Sequence, residues 1–320
     1  MSPHVSVVIP TYNRRVFLEE AVGSCLAGND AIEVEVVVVD DGSTDGTRDY
    51  LRSLADRDPR VRPIYQEHQG AQVARNRGLA EARGQTVKFL DDDDYLLPGA
   101  LRKQYETLQE SGADVCYGDF FFVFEEDGSA RQFTNGQFDS FFSGLASSGI
   151  QRLPLIHLFN RAAVEEARWD EALDYLQDVA FMLEAASRHL SCRKLEAPIA
   201  VHRIHREHRI SDARQQAHVT RRLKMRCRMY WQAYQKLSKN GPVDQTLRTA
   251  AARGLWDEAH KLAAFDVVAF DEWHEKIQRI KPGFLPPRPN WMLAALDRVL
   301  SPRYTELLIY PLRKAKARLK

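Results

Sequence analysis

The chain has 320 residues, with 45 Lys and Arg against 44 Asp and Glu, a formal net charge of +1. Hydrophobic residues make up 44%, aromatics 10% and charged residues 28%, which excludes a disordered or collagen-like chain. The even charge excludes a dedicated nucleic-acid binder, which would be basic overall. The length leaves room for about two structural units.

Cysteines stand at 25, 116, 192 and 227 and form no Cys-x-x-Cys pair. No structural zinc site is expected, and such scatter suits a reducing compartment. Met1-Ser2-Pro3-His4 leads straight into an apolar strand, so no signal peptide is expected. The apolar runs fall far short of the about 20 residues that span a bilayer. The expectation is a cytoplasmic protein, free or peripheral on the inner face of the membrane.

Val5 to Ile9, Val34 with Val36 to Val39, and Thr86 to Leu90 are short apolar runs rich in β-branched residues. Such runs read as strands covered on both faces. Helical patterns lie between them at Val16 to Leu26, Asp45 to Leu54 and Ala71 to Ala82. Alternating strand and helix predicts an α/β fold on a mostly parallel sheet, with ligands at the carboxyl ends of the strands. Each of the three strands runs into a polar cluster there. The clusters are Pro10-Thr11-Tyr12-Asn13-Arg14, Asp40-Asp41-Gly42-Ser43-Thr44-Asp45 and Asp91-Asp92-Asp93-Asp94. Three polar strand ends on one rim converge on one site.

Further along, Leu97 to Leu108 reads as a helix with Pro98 near its first turn. Ala113 to Phe124 reads as a strand, turning at Glu126-Asp127-Gly128 back toward Gln132-Phe133. Residues 135 to 150, rich in Ser, Gly and Phe, read as a mobile loop. Ala172 to His189 reads as a helix and Ala197 to Ile204 as a strand. A long helix is expected over Asp212 to Leu237, then helices near 243–279. Pro282, Pro286, Pro287 and Pro289 precede an amphipathic stretch, Trp291 to Leu300. A boundary near 212 divides residues 1–212 from a helical C-terminal region, 213–320.

Four consecutive carboxylates at Asp91 to Asp94 repel one another. They read either as a Mg or Mn site, since these ions take hard oxygen ligands alongside substrate phosphates, or as a solvated acidic turn. Asp40-Asp41-Gly42-Ser43 reads as ordinary turn chemistry or as a nucleoside contact. Asn13 reads as a helix cap. Arg75, alone, reads as a surface residue.

Together these pieces resemble the family-2 glycosyltransferases, which have the GT-A fold. The resemblance covers roughly residues 4 to 212 and keeps the family's motif order. Val5 to Arg14 is similar to the opening strand and loop, and Val38 to Asp45 to the nucleoside-binding turn. Gly70-Ala71-Gln72-Val73-Ala74-Arg75-Asn76-Arg77-Gly78 resembles the family's Gly-x-x-x-Ala-Arg-Asn-x-Gly helix. Phe89 to Asp94 resembles the metal-binding Asp-x-Asp strand end. The resemblance implies a GT-A sheet flanked by helices and an inverting transfer from a nucleotide-sugar, a UDP-sugar, to a glycan or lipid-linked acceptor. It implies that Pro10, Thr11, Tyr12, Arg14 and Asp40 or Asp41 line the nucleotide site. Arg75 falls near the base or diphosphate, and Asp91, Asp92 and Asp94 near the ribose and donor sugar. Asp93 would ligate a divalent metal, Mn or Mg. Trp169-Asp170-Glu171-Ala172-Leu173 followed by Gln177-Asp178 matches the family's base segment, with Asp178 as catalytic base and Gln177 in place of the usual Glu. His202-Arg203-Ile204-His205 with Ser211 resembles an aromatic-Arg-x-His segment. His205 reads either as a metal or diphosphate ligand or as a structural histidine.

A sugar-nucleotide nucleotidyltransferase would want a glycine-rich loop after the first strand, and Pro10 to Arg14 has no glycine. A non-catalytic nucleotide-sugar binder would not need both Asp93 and Asp178. Two segments, 203–228 and 281–320, each carry a net charge of +7, leaving −13 on the rest. The second adjoins an apolar stretch, which suits an anionic membrane surface, a helical subdomain or a homo-oligomer contact.

Overall fold

The computed structural model describes residues 2–205, 216–288 and 290–318. Ser211, the expected boundary at 212 and the cations at 206, 209, 214 and 320 lie outside the described residues. So do the side chains of the cations at 313, 314, 316 and 318.

β1 (Val5–Thr11) and β2 (Val34–Asp40) are buried at every position, as strands covered on both faces must be. α1 (Arg15–Leu26) joins them. α2 (Thr47–Arg57), β3 (Val61–Tyr65), α3 (Ala71–Glu81) and β4 (Thr86–Phe89) follow. The four strands pair in parallel in the order β3-β2-β1-β4. Register sets Thr11 opposite Asp40, and Asp40 opposite Tyr65. The carboxyl ends of β1, β2 and β3 are therefore level. Strand β3 is absent from the sequence reading because Pro63 interrupts its pattern. It lies at the edge of the sheet, where a proline costs least.

β5 (Tyr95–Leu96), α4 (Ala100–Ser111), β6 (Val115–Phe124) and β7 (Ala130–Phe133) come next. Then follow α5 (Phe141–Ala146), β8 (His157–Asn160), α6 (Arg161–Val164), α7 (Gln177–Ala186) and β9 (Cys192–Ile204). They extend the sheet as β4-β8-β6-β9-β5, with β7 on β6, in mixed orientation. The β6–β7 hairpin forms as its turn residues predict. Two expectations change. The stretch 135–150 is not a loose loop: Asn135, Phe141, Phe142, Leu145, Ala146 and Ile150 are buried. Its phenylalanines anchor what its serines and glycines suggested was free. Helix α7 begins at Gln177 rather than Ala172, because Leu176 takes a left-handed φ of 62° before it.

The chain divides into two units. The first holds Met1–Phe141, Ile150–Ala185 and Leu190–Arg209, and with them the sheet. The second holds Phe142–Gly149, Ala186–His189 and Ile210–Lys320. In the second, α9 (Gln245–Leu262) packs against both α8 (Gln216–Asn240) and α10 (Val267–Ile280). α11 (Trp291–Arg318) kinks at Ser301, which has a φ of 73°. The Arg288 side chain is 4% exposed and lies over the Trp256 ring, paired with Asp297 at 2.7 Å and with Glu306. Arg303 pairs with Asp271 at 2.8 Å. Two of the tail's cations thus serve internal ion pairs. Trp291, Met292, Val299, Tyr304 and Leu308 of α11 remain exposed. Among the described residues no helix is long and apolar enough to cross a membrane. The four cysteines are buried and free.

Helix α3 carries site residues, and its closeness to the sheet depends on Gly78. A Cβ there would sit 2.3 Å from Cγ1 of buried Val8. Gly78→Val is expected to cost about 1–3 kcal/mol through overpacking. The measurement is the urea midpoint followed by tryptophan fluorescence, and an unchanged midpoint would refute the close contact.

Candidate active site

Leu90 N donates to Val8 O at 3.0 Å, which carries the β4–β1 ladder to the edge of the sheet. The acidic turn begins there, and its four carboxylates go to four different partners. Asp91 accepts from Arg75 Nη2 at 2.5 Å. Asp92 turns inward and accepts from Thr11 Oγ1 at 2.7 Å. Asp93 accepts from Arg14 Nη1 at 2.6 Å. Asp94 accepts from the Arg203 amide at 3.0 Å and lies 2.9 Å from His202 Nδ1. Burial pushes Asp92 up to about 7 and Asp94 up to about 6. Burial acts the same way on Asp91, but Arg75 outweighs it and holds Asp91 below the usual carboxylate range. His202 is desolvated, yet its bond to Asp94 raises it overall.

The β2 end separates its two aspartates. Asp41 is saturated: it accepts from Gln66 Nε2 at 2.8 Å, Gln69 N at 2.9 Å and Gly70 N at 2.8 Å. It builds the turn into α3, where Gly70 has a φ of 99°. Asp40 accepts from Ser43 N at 2.9 Å through Oδ1. Its Oδ2 is buried without a hydrogen-bond partner, 3.6 Å from Arg48 Nε. A buried acceptor left open in this way is a candidate ligand contact. Tyr12 is half exposed and stacks on His68, with centroids 4.1 Å apart. Asn13 does not cap α1. Its side chain accepts from Thr44 N at 2.7 Å and ties the β1 end to the β2 turn. Pro10 is an interior residue of β1.

Arg75 is a core residue of the site, not a surface one. It is 5% exposed, and its guanidinium lies 4.5 Å from the centroid of the Trp169 ring. Its Nε and Nη1 have no hydrogen-bond partner. Burial would lower its basicity, but Asp91 and Asp178 raise it further. The neighbouring Asn76 grips the Trp169 backbone twice, donating to its O at 2.9 Å and accepting from its N at 2.8 Å. Trp169 stacks on Phe181 of α7 at 4.4 Å. Asp178, one turn earlier on α7, therefore sits in the field of Arg75 and Asp91. Burial pushes it up to about 6; Arg75 opposes that rise and Asp91 adds to it.

The last side is His205, packed on Phe17 with centroids 4.9 Å apart. Its Nδ1 lies 2.6 Å from Glu125 Oε2, which holds the orientation of the ring. Nε2 is buried without a hydrogen-bond partner, 3.5 Å from Asp93 Oδ2. One oxygen each from Asp91, Asp93 and Asp94 lies within 4.8 Å of the others. Three hard carboxylate oxygens fit a divalent cation such as Mg or Mn, with the His205 ring beside Asp93. Glu125 escaped the sequence reading, as did Arg48 and Asn76's grip on Trp169. Glu125 stands in an acidic run that reads as a hairpin turn, and only the pairing of β6 with β9 brings it to His205.

Comparison with known proteins agrees with this arrangement. The model of glycosyl transferase family 2 matches residues 6–167, about half the chain. Glycosyltransferase GlyG of Streptococcus pneumoniae is 35% identical over 138 residues, covering 43% of this chain and 46% of its own. The putative teichuronic acid biosynthesis glycosyltransferase TuaG of Bacillus subtilis is 44% identical over 109 residues, 34% of this chain and 43% of its own. A Campylobacter jejuni GalNAc(5)-diNAcBac-PP-undecaprenol beta-1,3-glucosyltransferase is 39% identical over 115 residues, 35% and 37% of the two chains. The chain thus spans less than half the length of these curated relatives. Among solved structures, S. aureus TarS in complex with UDP-GlcNAc superposes with a TM-score of 0.68 at 18% identity, covering 98% of this chain and 91% of that one. The mannosyltransferase PcManGT of Pyrobaculum calidifontis, in complex with GDP-Man and Mn2+, gives 0.55 at 18% identity, covering 100% and 88%. These likenesses establish the GT-A fold. With the strand ends converging as the family's motifs require, the protein belongs to glycosyl transferase family 2.

Proposed function

We propose that this protein transfers a sugar from a nucleotide-sugar, a UDP-sugar, to an acceptor hydroxyl with inversion at the anomeric carbon. The observation that carries the reading is Asp178, a carboxylate with raised pKa beside Arg75 and Asp91. A base held near neutrality next to a cationic, donor-rich rim suits proton abstraction from a sugar hydroxyl. Asp178 takes the acceptor proton. The acceptor oxygen bonds to the anomeric carbon as the bond from that carbon to the diphosphate oxygen breaks. Arg14 and the open Nε and Nη1 of Arg75 are the cations available to the diphosphate. Asp40, with its open Oδ2, is the better of the two turn aspartates for the nucleobase. Tyr12 supplies a ring to stack on it. Asp91 and Asp94 face the ribose and donor sugar, while Asp92 holds the β1 end through Thr11. Asp91, Asp93, Asp94 and His205 would hold the divalent metal, which when bound supplies charge neutralisation at the diphosphate leaving group. The donor complex of TarS and the GDP-Man and Mn2+ complex of PcManGT support a nucleotide-sugar and a metal on this fold.

We assign catalysis to residues 1–212 and a helical role to 213–320. The relatives named for teichuronic acid synthesis and for an undecaprenol-linked substrate support an acceptor in cell-surface glycan assembly. The cytoplasmic membrane face is then the natural place of reaction. The exposed Trp291, Met292, Val299, Tyr304 and Leu308 of α11, beside basic sequence, suit adsorption there.

Free UDP is expected on incubation with one of a panel of UDP-sugars, acceptor and Mn or Mg. Asp178→Asn should lower that rate about 10²- to 10⁴-fold with UDP binding retained; near-full activity would remove Asp178 as base. The carboxylate form of Asp178 is the active one, so kcat/KM should fall with decreasing pH below about 6 and level off above it. A profile flat through that range would contradict the assignment. Calorimetric titration of Mn with UDP present should show binding that Asp93→Ala abolishes. Co-sedimentation with anionic vesicles should capture the full chain and not a chain ending at Gly283; equal failure of both would end the membrane role of the tail.

A further inference from the structure

The helical unit contains a groove of about 400 Å3 between α8 and α10, unrelated to the residues of the proposed reaction. Lys224, Arg228, Trp231 and Gln235 line it from α8. Their spacing of four, three and four residues makes a single stripe on one helix face. The stripe spans roughly 16 Å at the α-helical rise. Trp273, Lys276 and Glu272 face it from α10. One end is closed by an ion pair, Lys224 Nζ to Asp266 Oδ2 at 2.6 Å. Lys276 Nζ sits 3.8 Å from the Trp273 ring centroid and 5.7 Å from that of Trp231.

Three properties of this groove stand together. Trp231 is half-buried and presents an aromatic ring to the groove, a rigid platform with a polar N–H at its edge. Gln232 and Gln235 are exposed and make no hydrogen bond among the described residues, so their amides offer both donors and acceptors. Arg228 and Lys276 have no acidic partner among the described residues, against a single unpaired acid, Glu272. A ring platform, free amides and surplus cations match a chain of sugar rings with hydroxyls and acidic substituents. A purely apolar guest would leave the amides and cations unpaired, and a lone phosphate would not use the indole.

We propose that the groove between α8 and α10 is a binding subsite for a glycan chain bearing acidic groups, with Trp231 stacking on a sugar ring and Arg228 and Lys276 holding carboxylate or phosphodiester charge. It rests on the reading of the protein as a glycosyltransferase only in naming that chain as a stretch of acceptor or product. Such a subsite would hold a growing polymer independently of the nucleotide-sugar.

The test uses the full chain without donor, titrated with hexagalacturonate, a hyaluronan hexasaccharide and uncharged cellohexaose, read by tryptophan fluorescence and by saturation-transfer NMR. The expected result is saturable binding of at least one acidic oligosaccharide, at least tenfold tighter than cellohexaose. Trp231→Ala should weaken it at least tenfold, and so should Arg228→Ala, whose exposed side chain makes no ion pair among the described residues. UDP binding should be unchanged in both variants. Three outcomes overturn the proposal: no saturable binding of either acidic oligosaccharide, binding unmoved by both substitutions, or cellohexaose binding equally well. If the acidic chain binds as expected while no UDP-sugar is turned over, the subsite stands and the reading of the reaction fails instead.

Discussion

Four carboxylates placed side by side at the end of a buried strand cannot coexist unless each finds its own donor or cation. Much of the first unit is arranged to supply them. Thr11 and Arg14 come from the end of β1, Arg75 from α3, and His202 with the Arg203 amide from β9. Each partner arrives from a different strand end or helix, so the acidic turn works as a knot tying β1, α3 and β9 together. Removing one partner would leave a buried or half-buried carboxylate uncompensated, which costs more than the pair itself contributes. The short β5 strand pairs with β9 immediately after the turn and closes the same knot on the backbone side.

Within the knot there is a division of labour. Of the β2 pair, Asp41 is consumed by three donors that shape the approach to α3, while Asp40 keeps an open oxygen. Of the β4 tetrad, Asp92 is spent on Thr11, while Asp91, Asp93 and Asp94 bring oxygens to a common point. A duplicated acid at a strand end therefore does two jobs. At β2 one residue fixes the loop and the other keeps an open oxygen. The same logic applies to Arg75 and Asn76: Asn76 clamps Trp169, and Trp169 in turn supports the guanidinium of Arg75.

Three of the four strands of the parallel half, β1, β2 and β4, and the convergence of their polar ends were legible in the sequence because they follow from local signals. β-branched runs, periodic helices and polar punctuation fall in order between residues 5 and 94. Lys88 is the exception inside that reading. It lies in the apolar run of β4, yet is fully buried, satisfied by Gln104 Oε1 at 2.9 Å, and burial pushes its ammonium down to about 7. What the sequence concealed depends on long-range pairing. Glu125 reaches His205 only across the β6–β9 register, and the proline-interrupted β3 has meaning only as an edge. The basic tail misled in a different way. Its net charge was visible, but the burial of the Arg288 side chain with Asp297 and Glu306 was not. Part of that charge is internal cement rather than surface.

Gln177, where the family resemblance leads one to expect Glu, has a local explanation. Its amide Nε2 donates to Leu173 O at 3.2 Å, and Gln72 Nε2 donates to the same carbonyl at 2.5 Å. A carboxylate at 177 could only accept, so it would lose this tie to the segment ahead of α7. It would also add a negative charge beside Asp178, whose proton affinity Asp91 already raises. The amide instead pins Leu173 to α3 and α7, and Leu176 in its left-handed conformation turns the chain so that Asp178 enters in the first turn of the helix. Burial and Asp91 hold the proton on Asp178, Arg75 draws it off, and the balance keeps the group near neutrality. Glutamine at 177 thus leaves that balance without a second carboxylate beside Asp178 while keeping the tie to Leu173.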